Sequence, residues 1–228
     1  GISETVLTTK IFKEDKLMQK SKRAILIGDN AHADWHPLKG PDKEITEALS
    51  EFEFVQSEDY DQFREESLKQ YDLCISFVDQ WENRMTDDRT CGLLSYVCHG
   101  GGLLIIHNGI AIQARYELAQ LAGGKFLSHP DQKVLTYRPC STKHVIMEGV
   151  EGFAVKEEPY RFELDNMIET TMLMEYEDEE KVWPAAWAHG YGLGRVAYLS
   201  PGHNIETYLD PEFRKLINRS GLWAAGLL

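Results

Sequence analysis

Three short runs of apolar residues constrain the fold more than any other feature of this sequence. They occupy residues 23–28 (RAILIG), 73–78 (LCISFV) and 103–107 (LLIIH), and none alternates regularly between apolar and polar positions. A β-strand that is buried on both faces has this continuous apolar pattern. We therefore expect these runs to form inner strands of a mostly parallel sheet.

Helical signals separate the runs. Pro41 is typical of the first turn of a helix, and Ile45 and Leu49 follow at helical spacing. Thr86 predicts the N-cap of a second helix that would end at the glycines of residues 100–102. A weaker strand is predicted at residues 53–56. The alternation of strand and helix indicates an α/β fold with helices on both faces of the sheet.

Shorter strand patterns fill the second half of the chain. They are predicted at residues 133–138, 153–156, 161–164, 172–176, 184–189 and 195–200. The last two flank a glycine-rich stretch, as in a hairpin. Asp210 and Pro211 mark the start of a final helix that would end at Gly226. We expect these strands to be extra antiparallel additions to the parallel sheet.

The N-terminal residues differ in character from the rest of the chain. Residues 1–22 are polar and charged, and Met18 is a candidate natural start. We interpret residues 1–22 as an extension and residues 23–228 as a single domain, because no proline- or serine-rich linker divides them. No apolar run approaches the roughly 20 residues that a membrane-spanning helix requires.

Charge and cysteine content limit the partners. A formal net charge of −13 argues against nucleic acid, since phosphate binding needs a basic surface. The four cysteines form no CxxC pair and are expected to be reduced thiols, which indicates a cytoplasmic protein. We therefore expect neither nucleic acid nor a membrane as a partner. A homo-oligomer remains an open alternative.

Histidines follow three of the predicted strands. His32 and His36 lie in the loop after the first strand, His107 ends the strand at residues 103–107, and His203 follows the strand at residues 195–200. Ligands of open parallel sheets bind beyond the carboxyl ends of the strands, so we expect these imidazoles to converge. His32 and His36 would share one metal if their segment were helical. The alternative is a surface loop with scattered histidines.

Residues 107–109 (HNG) have the pattern of a nucleophile-elbow turn, which exposes one side chain above the sheet. His107 would be that side chain, suited to act as a general base or a metal ligand. A core histidine bonded to a backbone carbonyl is the alternative. Glu158 is a candidate proton shuttle or metal ligand and Tyr160 a candidate hydrogen-bond donor, although a solvated acidic turn would also explain residues 157–160.

Several stretches together resemble the trehalose-utilisation (ThuA-like) family. They are residues 100–107 (GGGLLIIH), 157–160 (EEPY), 184–187 (PAAW), 192–196 (GLGRV), 202–203 (GH) and 221–226 (GLWAAG). The resemblance covers nearly the whole chain from about Arg23. It implies a flavodoxin-like three-layer sandwich of the class I glutamine amidotransferase type. His107 would then stand where an amidotransferase has its cysteine, so the resemblance implies that the chain is not a glutaminase.

The resemblance also implies a sugar substrate, at the level of a keto-sugar or 3-keto-glycoside. By position, His107, Glu158, Tyr160 and His203 fit the family pattern, while His32 and His36 lie in a loop that varies within the family. His189 is a lesser candidate.

Our hypothesis is a metal-assisted isomerase, epimerase or lyase. We assign catalysis to His107, Glu158 and His203, and a divalent metal (zinc, manganese, iron or nickel) to His32, His107 and His203. We assign substrate binding to Asp29, Trp35, Asn108, Tyr160 and His189. Two alternatives stay open: a non-catalytic sugar-binding or regulatory protein, and a metal-dependent glycoside hydrolase.

Overall fold

The structure, a computed structural model, describes residues 21–82 and 84–228. Nearly all of the predicted extension (residues 1–22), including the candidate start at Met18, lies outside the described residues.

Eleven strands occur in the described part of the chain. They are β1 (Lys22–Gly28), β2 (Phe52–Ser57), β3 (Leu73–Phe77), β4 (Gly102–Ile106), β5 (Gly124–Ser128), β6 (Lys133–Pro139), β7 (Phe153–Glu157), β8 (Arg161–Leu164), β9 (Thr171–Asp178), β10 (Lys181–Tyr191) and β11 (Gly194–Leu199).

The same residues contain six α-helices and three 3-10 helices. The α-helices are α1 (Pro41–Ala48), α2 (Glu65–Leu68), α3 (Asp87–Cys98), α4 (Tyr116–Ala122), α5 (Ile205–Leu209) and α6 (Pro211–Ala224). The 3-10 helices are Tyr60–Phe63, His107–Ala114 and Val145–Met147. Asp210 caps α6 as expected, because its carboxylate accepts the backbone N–H groups of Glu212 and Phe213.

One mixed sheet of nine strands organises the molecule, in the order β2-β1-β3-β4-β11-β10-β9-β6-β7. Neighbours from β2 to β11 run parallel, and those from β11 to β7 run antiparallel. The hairpin β10–β11 therefore joins a parallel half to an antiparallel half. β5 and β8 form a separate antiparallel pair. The predicted α/β class, with a parallel first half and antiparallel strands after it, is confirmed.

The apolar runs are continuous because both faces of the parallel strands are covered. In β1, Leu26 belongs to a core cluster that includes Phe213 of α6, whereas Ile27 belongs to a second cluster that includes Leu93 of α3 and Leu118 of α4. Burial of each such side chain contributes about 2 kcal/mol.

The parallel strands end at a common edge. Gly28 at the end of β1 pairs with Phe77 at the end of β3, and Leu199 at the end of β11 pairs with Ile106 at the end of β4. The segments that follow β1, β3, β4 and β11 in the chain therefore lie close together at this edge.

Candidate functional site

Four side chains from distant parts of the sequence converge beyond this edge. His36 follows β1, His107 follows β4, Glu158 follows β7 and His203 follows β11. Each offers one atom able to bind a metal, and these atoms all lie within 4.8 Å of one another. We call these four residues the histidine–glutamate cluster. It could hold a metal ion.

Glu158 Oε2 lies at the centre of this cluster. It is 3.5 Å from Nε2 of His36, 3.3 Å from Nε2 of His107 and 3.2 Å from Nδ1 of His203. His36 Nε2 and His203 Nδ1 are 2.9 Å apart. His107 Nε2 and Glu158 Oε2 are buried, and neither has a hydrogen-bond partner among the described residues.

His107 lies on a strained turn, but its ring is fully buried, as the alternative of a core histidine predicts, and is not exposed above the sheet. It has a φ of 46°, in the left-handed region, directly after β4. Gly109 permits this turn, because a Cβ there would lie 1.9 Å from the carbonyl oxygen of Ser76. His107 Nδ1 donates to the carbonyl oxygen of Ser200 at 2.6 Å, so the neutral ring presents the lone pair of Nε2 to the cluster. The elbow position thus carries an imidazole and no thiol.

Asn108 supports this turn and does not line a pocket. Its side-chain amide donates to the carbonyl oxygens of Phe77 and Val78 at 2.9 and 3.1 Å, and the residue is fully buried. These bonds give Asn108 a structural role, and its assignment to substrate binding stays a prediction.

His36, and not His32, is the cluster residue of the first loop. Residues 29–40 contain no helix, so a spacing of four does not place both rings on one side, and His32 is exposed. His36 is buried, and its Nδ1 lies 2.7 Å from Oδ1 of Asp79. His32 lies outside the cluster that could hold a metal, and its assignment as a metal ligand stays a prediction.

Asp29 is a structural residue. Its buried carboxylate accepts the hydroxyl of Tyr60 at 2.6 Å, the backbone N–H of Asp79 at 2.7 Å and the amide of Gln80 at 2.7 Å. Two of these bonds tie the Asp29 carboxylate to the loop that carries Asp79. The assignment of Asp29 to substrate binding stays a prediction, beside this structural role.

His203 is held in place by Glu157, which is fully buried. The Glu157 carboxylate accepts the backbone N–H groups of Gly202 and His203 at 3.1 Å and the hydroxyl of Thr207 at 2.5 Å. The alternative interpretation of residues 157–160 as a solvated acidic turn does not hold, because both glutamates are buried.

His189 lies in the core and outside the cluster. It is 4% exposed, and its Nε2 donates to the carbonyl oxygen of Leu121 at 2.9 Å. The ring also packs against Gly123. In β10 it pairs with Val196 near the start of β11, away from the edge where the parallel strands end, and its assignment to substrate binding stays a prediction.

The cluster perturbs the ionisation of its members. Burial alone would lower the pKa of His36, but contacts with Asp79 and Glu158 outweigh it and raise the pKa to about 9. Burial would raise the pKa of Glu158, yet contacts with His107, His203 and His36 hold it well below its usual range. Full burial lowers the pKa of His107. These opposed shifts are common at functional sites.

An aromatic pocket of about 440 Å³ opens beside the cluster. It is lined by Trp35, His36, Trp81, Phe126, His129, Glu158 and Tyr160. The rings form a wall that begins at the cluster: His107 and Tyr160 stack at a centroid distance of 4.2 Å, Tyr160 and Phe126 lie 4.4 Å apart, and Phe126 and Trp81 lie 5.0 Å apart. Trp35, 68% exposed, lies at the mouth.

Sequence reasoning missed Asp79, Trp81, Phe126 and His129. Asp79 follows β3 almost directly, so the rule that polar residues at strand ends approach the ligand could have found it. No comparable signal marks Trp81 or Phe126. His129 lies at the pocket with Nε2 3.7 Å from Oε1 of Glu158.

Within the described residues, none of the helices has the length and apolar character needed to cross a membrane.

Comparison with known proteins places the fold among solved structures. A ThuA-like protein of Parabacteroides merdae has a TM-score of 0.74 at 18% identity, with 90% of each chain covered. A ThuA-like protein of Bacteroides uniformis has a TM-score of 0.67 at 16% identity, covering 90% of this chain and 92% of the other. A cytoplasmic protein of Salmonella typhimurium has a TM-score of 0.59 at 16% identity, covering 90% and 98%.

Identities this low show a shared fold. Among curated proteins, none matches the chain in sequence. The model of the family described as ThuA, trehalose utilisation, matches residues 27–224. This match covers most of the chain and supports a sugar-related role, and the protein therefore belongs to the ThuA trehalose-utilisation family.

Proposed function

We propose that the protein is a metal-dependent enzyme of sugar catabolism that isomerises, epimerises or cleaves a keto-sugar or keto-glycoside. One observation carries the proposal: the four cluster side chains converge beside an aromatic pocket that His36 and Glu158 line, and His107 Nε2 and Glu158 Oε2 are buried without a hydrogen bond among the described residues. Buried polar atoms are normally paired, so this arrangement suits a bound cation.

The donor set fits a divalent transition metal. Three imidazole nitrogens and a carboxylate oxygen suit zinc, manganese, iron or nickel. His36 and His107 each have the other ring nitrogen bonded to an oxygen, as metal-binding histidines usually do. When bound, the ion would supply positive charge beside a substrate carbonyl.

The pocket would hold the sugar. Trp81, Phe126 and Tyr160 offer apolar faces to the C–H side of a sugar ring, while the cluster offers polar groups to its oxygen atoms. Tyr160, which lies between Phe126 and His107, would orient the ring. Trp35 would cover the ligand at the mouth.

Glu158 and His129 are the groups that we assign to proton movement. Glu158 Oε1 faces the half-exposed His129, whereas Oε2 faces the cluster. Glu158 would take a proton from the carbon next to the carbonyl, and the electron pair of that C–H bond would shift towards the carbonyl oxygen. Return of a proton to the former carbonyl carbon, with loss of the hydroxyl proton from the carbon that was deprotonated, isomerises the sugar. Return of a proton to the deprotonated carbon from its opposite face epimerises it. Departure of a substituent from the next carbon gives the lyase reaction.

The test combines metal analysis with hydrogen exchange. The metal content of purified protein would be measured by mass spectrometry, and deuterium uptake from D₂O into a panel of keto-sugars by NMR. We expect near-stoichiometric metal and deuterium uptake in the wild type. The double variant His107→Ala, His203→Ala should lose both. His99→Ala removes an exposed histidine at the end of α3 and is the matched control.

Other outcomes would identify the alternatives. Sugar binding without metal or uptake would indicate a binding or regulatory protein. Release of a free sugar without deuterium uptake would indicate a metal-dependent glycoside hydrolase.

His129→Gln tests the proton assignment separately. This variant should keep the metal and the sugar affinity but lose most deuterium uptake, because Gln cannot accept and return a proton. Uptake at the wild-type rate would remove His129 from the mechanism.

Two broader inferences accompany this proposal. The order β2-β1-β3-β4-β11 and the two core clusters support flavodoxin-like layering of the parallel half. The four free cysteines support a cytoplasmic setting, with a small-molecule carbohydrate as partner.

A further inference from the structure

Asp79 contacts two neighbouring residues of the loop after β1. One is His36 of the cluster, and the other is Trp35, which lines the pocket. Oδ1 of Asp79 lies 2.7 Å from His36 Nδ1, and its Oδ2 accepts the backbone N–H groups of Trp35 and His36. The Asp79 side chain is fully buried. Oδ1 also accepts the indole N–H of Trp81 at 3.1 Å, and the backbone N–H of Asp79 donates to Asp29 at 2.7 Å.

This contact decides which nitrogen of His36 carries a proton. An ionised carboxylate can only accept hydrogen bonds, so a neutral His36 ring beside it must hold its hydrogen on Nδ1. The lone pair of Nε2 is then directed at the cluster, where His203 Nδ1 lies 2.9 Å away. His107 achieves the same orientation through the backbone carbonyl of Ser200. For His36 the group responsible is a replaceable side chain.

We propose that Asp79 is a positioning residue that fixes the Nδ1–H tautomer of His36 and so makes Nε2 a ligand for a divalent cation. The part that concerns the cation rests on the proposed function. The part that concerns the tautomer does not.

Asp79→Asn is the decisive variant. Asn has the same shape, and its oxygen can still accept the backbone N–H groups of Trp35 and His36. Its NH₂ group would then face His36 Nδ1 and donate to it, which moves the ring hydrogen to Nε2 and removes the lone pair from the cluster. We expect the affinity for Zn²⁺, titrated against a chromophoric chelator, to fall about 10- to 100-fold.

Asp34→Asn is the matched control. Asp34 is a carboxylate of the loop that carries His36, and it accepts the backbone N–H of Trp81 at 3.2 Å. It does not belong to the cluster, and this variant should bind Zn²⁺ as the wild type does. Asp79→Glu keeps an acceptor-only group and should retain more affinity than Asp79→Asn.

Imidazole ¹⁵N NMR gives a readout that a general structural role would not change. In metal-free protein with a neutral His36 ring, the wild type should show hydrogen on Nδ1, and Asp79→Asn should show it on Nε2. Hydrogen on Nε2 in the wild type would overturn the inference, even if Asp79→Asn failed to fold. Unchanged Zn²⁺ affinity in a folded Asp79→Asn would also overturn it. A wild type that binds no Zn²⁺ but has the Nδ1–H tautomer would refute the proposed function and leave the positioning role of Asp79 intact.

Discussion

Glu157 and Glu158 are consecutive in the chain, yet their carboxylates serve different parts of the molecule. Glu157 accepts backbone N–H groups of the segment that carries His203. Glu158 faces three imidazoles. The extended backbone at the end of β7 directs the two side chains to opposite sides.

These different contacts predict that Glu158→Gln mainly weakens metal binding, whereas Glu157→Gln mainly lowers stability. Glu158→Gln should lower the affinity for a divalent cation at least tenfold, because it neutralises a ligand. Glu157→Gln should lower the unfolding free energy by about 2 kcal/mol, because buried N–H groups lose a charged acceptor. Metal titration and urea unfolding of both variants check this, and equal behaviour in both assays would contradict it.

His36 and His32 form a second matched pair. His36→Gln should abolish stoichiometric metal binding, since it removes a cluster nitrogen, and His32→Gln should leave it unchanged, since His32 is exposed. Metal content after dialysis against buffer distinguishes the two. Loss of metal in His32→Gln alone would support the assignment of His32 as the metal ligand of the first loop.

The aromatic wall predicts that substitutions of its rings weaken sugar binding, whereas substitutions of aromatic residues elsewhere do not. Trp81→Ala should weaken binding by about 1 kcal/mol, or roughly fivefold, because it removes a stacking face next to Phe126. Tyr116→Ala, at a ring that is 73% exposed and does not line this pocket, is the control. Titration calorimetry measures both, and an equal loss in the two variants would argue against a sugar at this wall.

Gly109→Ala should destabilise the protein by about 2 kcal/mol or more, because the new Cβ would collide with the backbone carbonyl of Ser76. Gly190→Ala is the control, since its nearest contact would lie at 3.9 Å. Urea unfolding of both variants measures the difference. A Gly109→Ala protein as stable as the wild type would show that the elbow can relax.

The raised pKa of His36 predicts how stability changes with pH in metal-free protein. Burial lowers this pKa, but contacts with Asp79 and Glu158 raise it from 6.5 to about 9. A pKa that is higher in the folded state means that protonation favours folding. The stabilisation is therefore complete below pH 6.5 and is lost as the pH rises through about 9. It amounts to on the order of 3 kcal/mol.

The measurement is urea unfolding of wild type and His36→Gln with chelator present, below pH 6.5 and above pH 9. The wild type should lose its advantage over the variant at the higher pH. A constant difference between the two proteins would contradict the prediction.

Sequence patterns predict the parts of the fold that depend on local spacing. The runs at residues 23–28 and 103–107 identify β1 and β4 closely, because burial on both faces requires continuous apolar residues. The helix α4 and the strand β5 were not predicted. Both are short, and their apolar residues gain stability by packing against elements that are distant in sequence.

The candidate site shows the same limit. Strand ends correctly indicate where His107 and His203 lie, since parallel strands finish at one edge. The choice between His36 and His32 depends on the path of a loop without helical structure, and spacing cannot fix that path. The roles of Asp29 and Asn108 depend on which neighbour accepts or donates a hydrogen bond. Only the folded arrangement determines that.

The contact between His36 and His203 joins residues that are 167 positions apart. Such a pair forms late, because the chain between them must first be ordered. Binding of a cation at the cluster would consequently report that folding is complete. A fragment that lacks either His36 or His203 could not bind the cation with native affinity. A cation here would also link the segment after β1 to the segment after β11 without a covalent bond. Removing it should therefore destabilise both segments together.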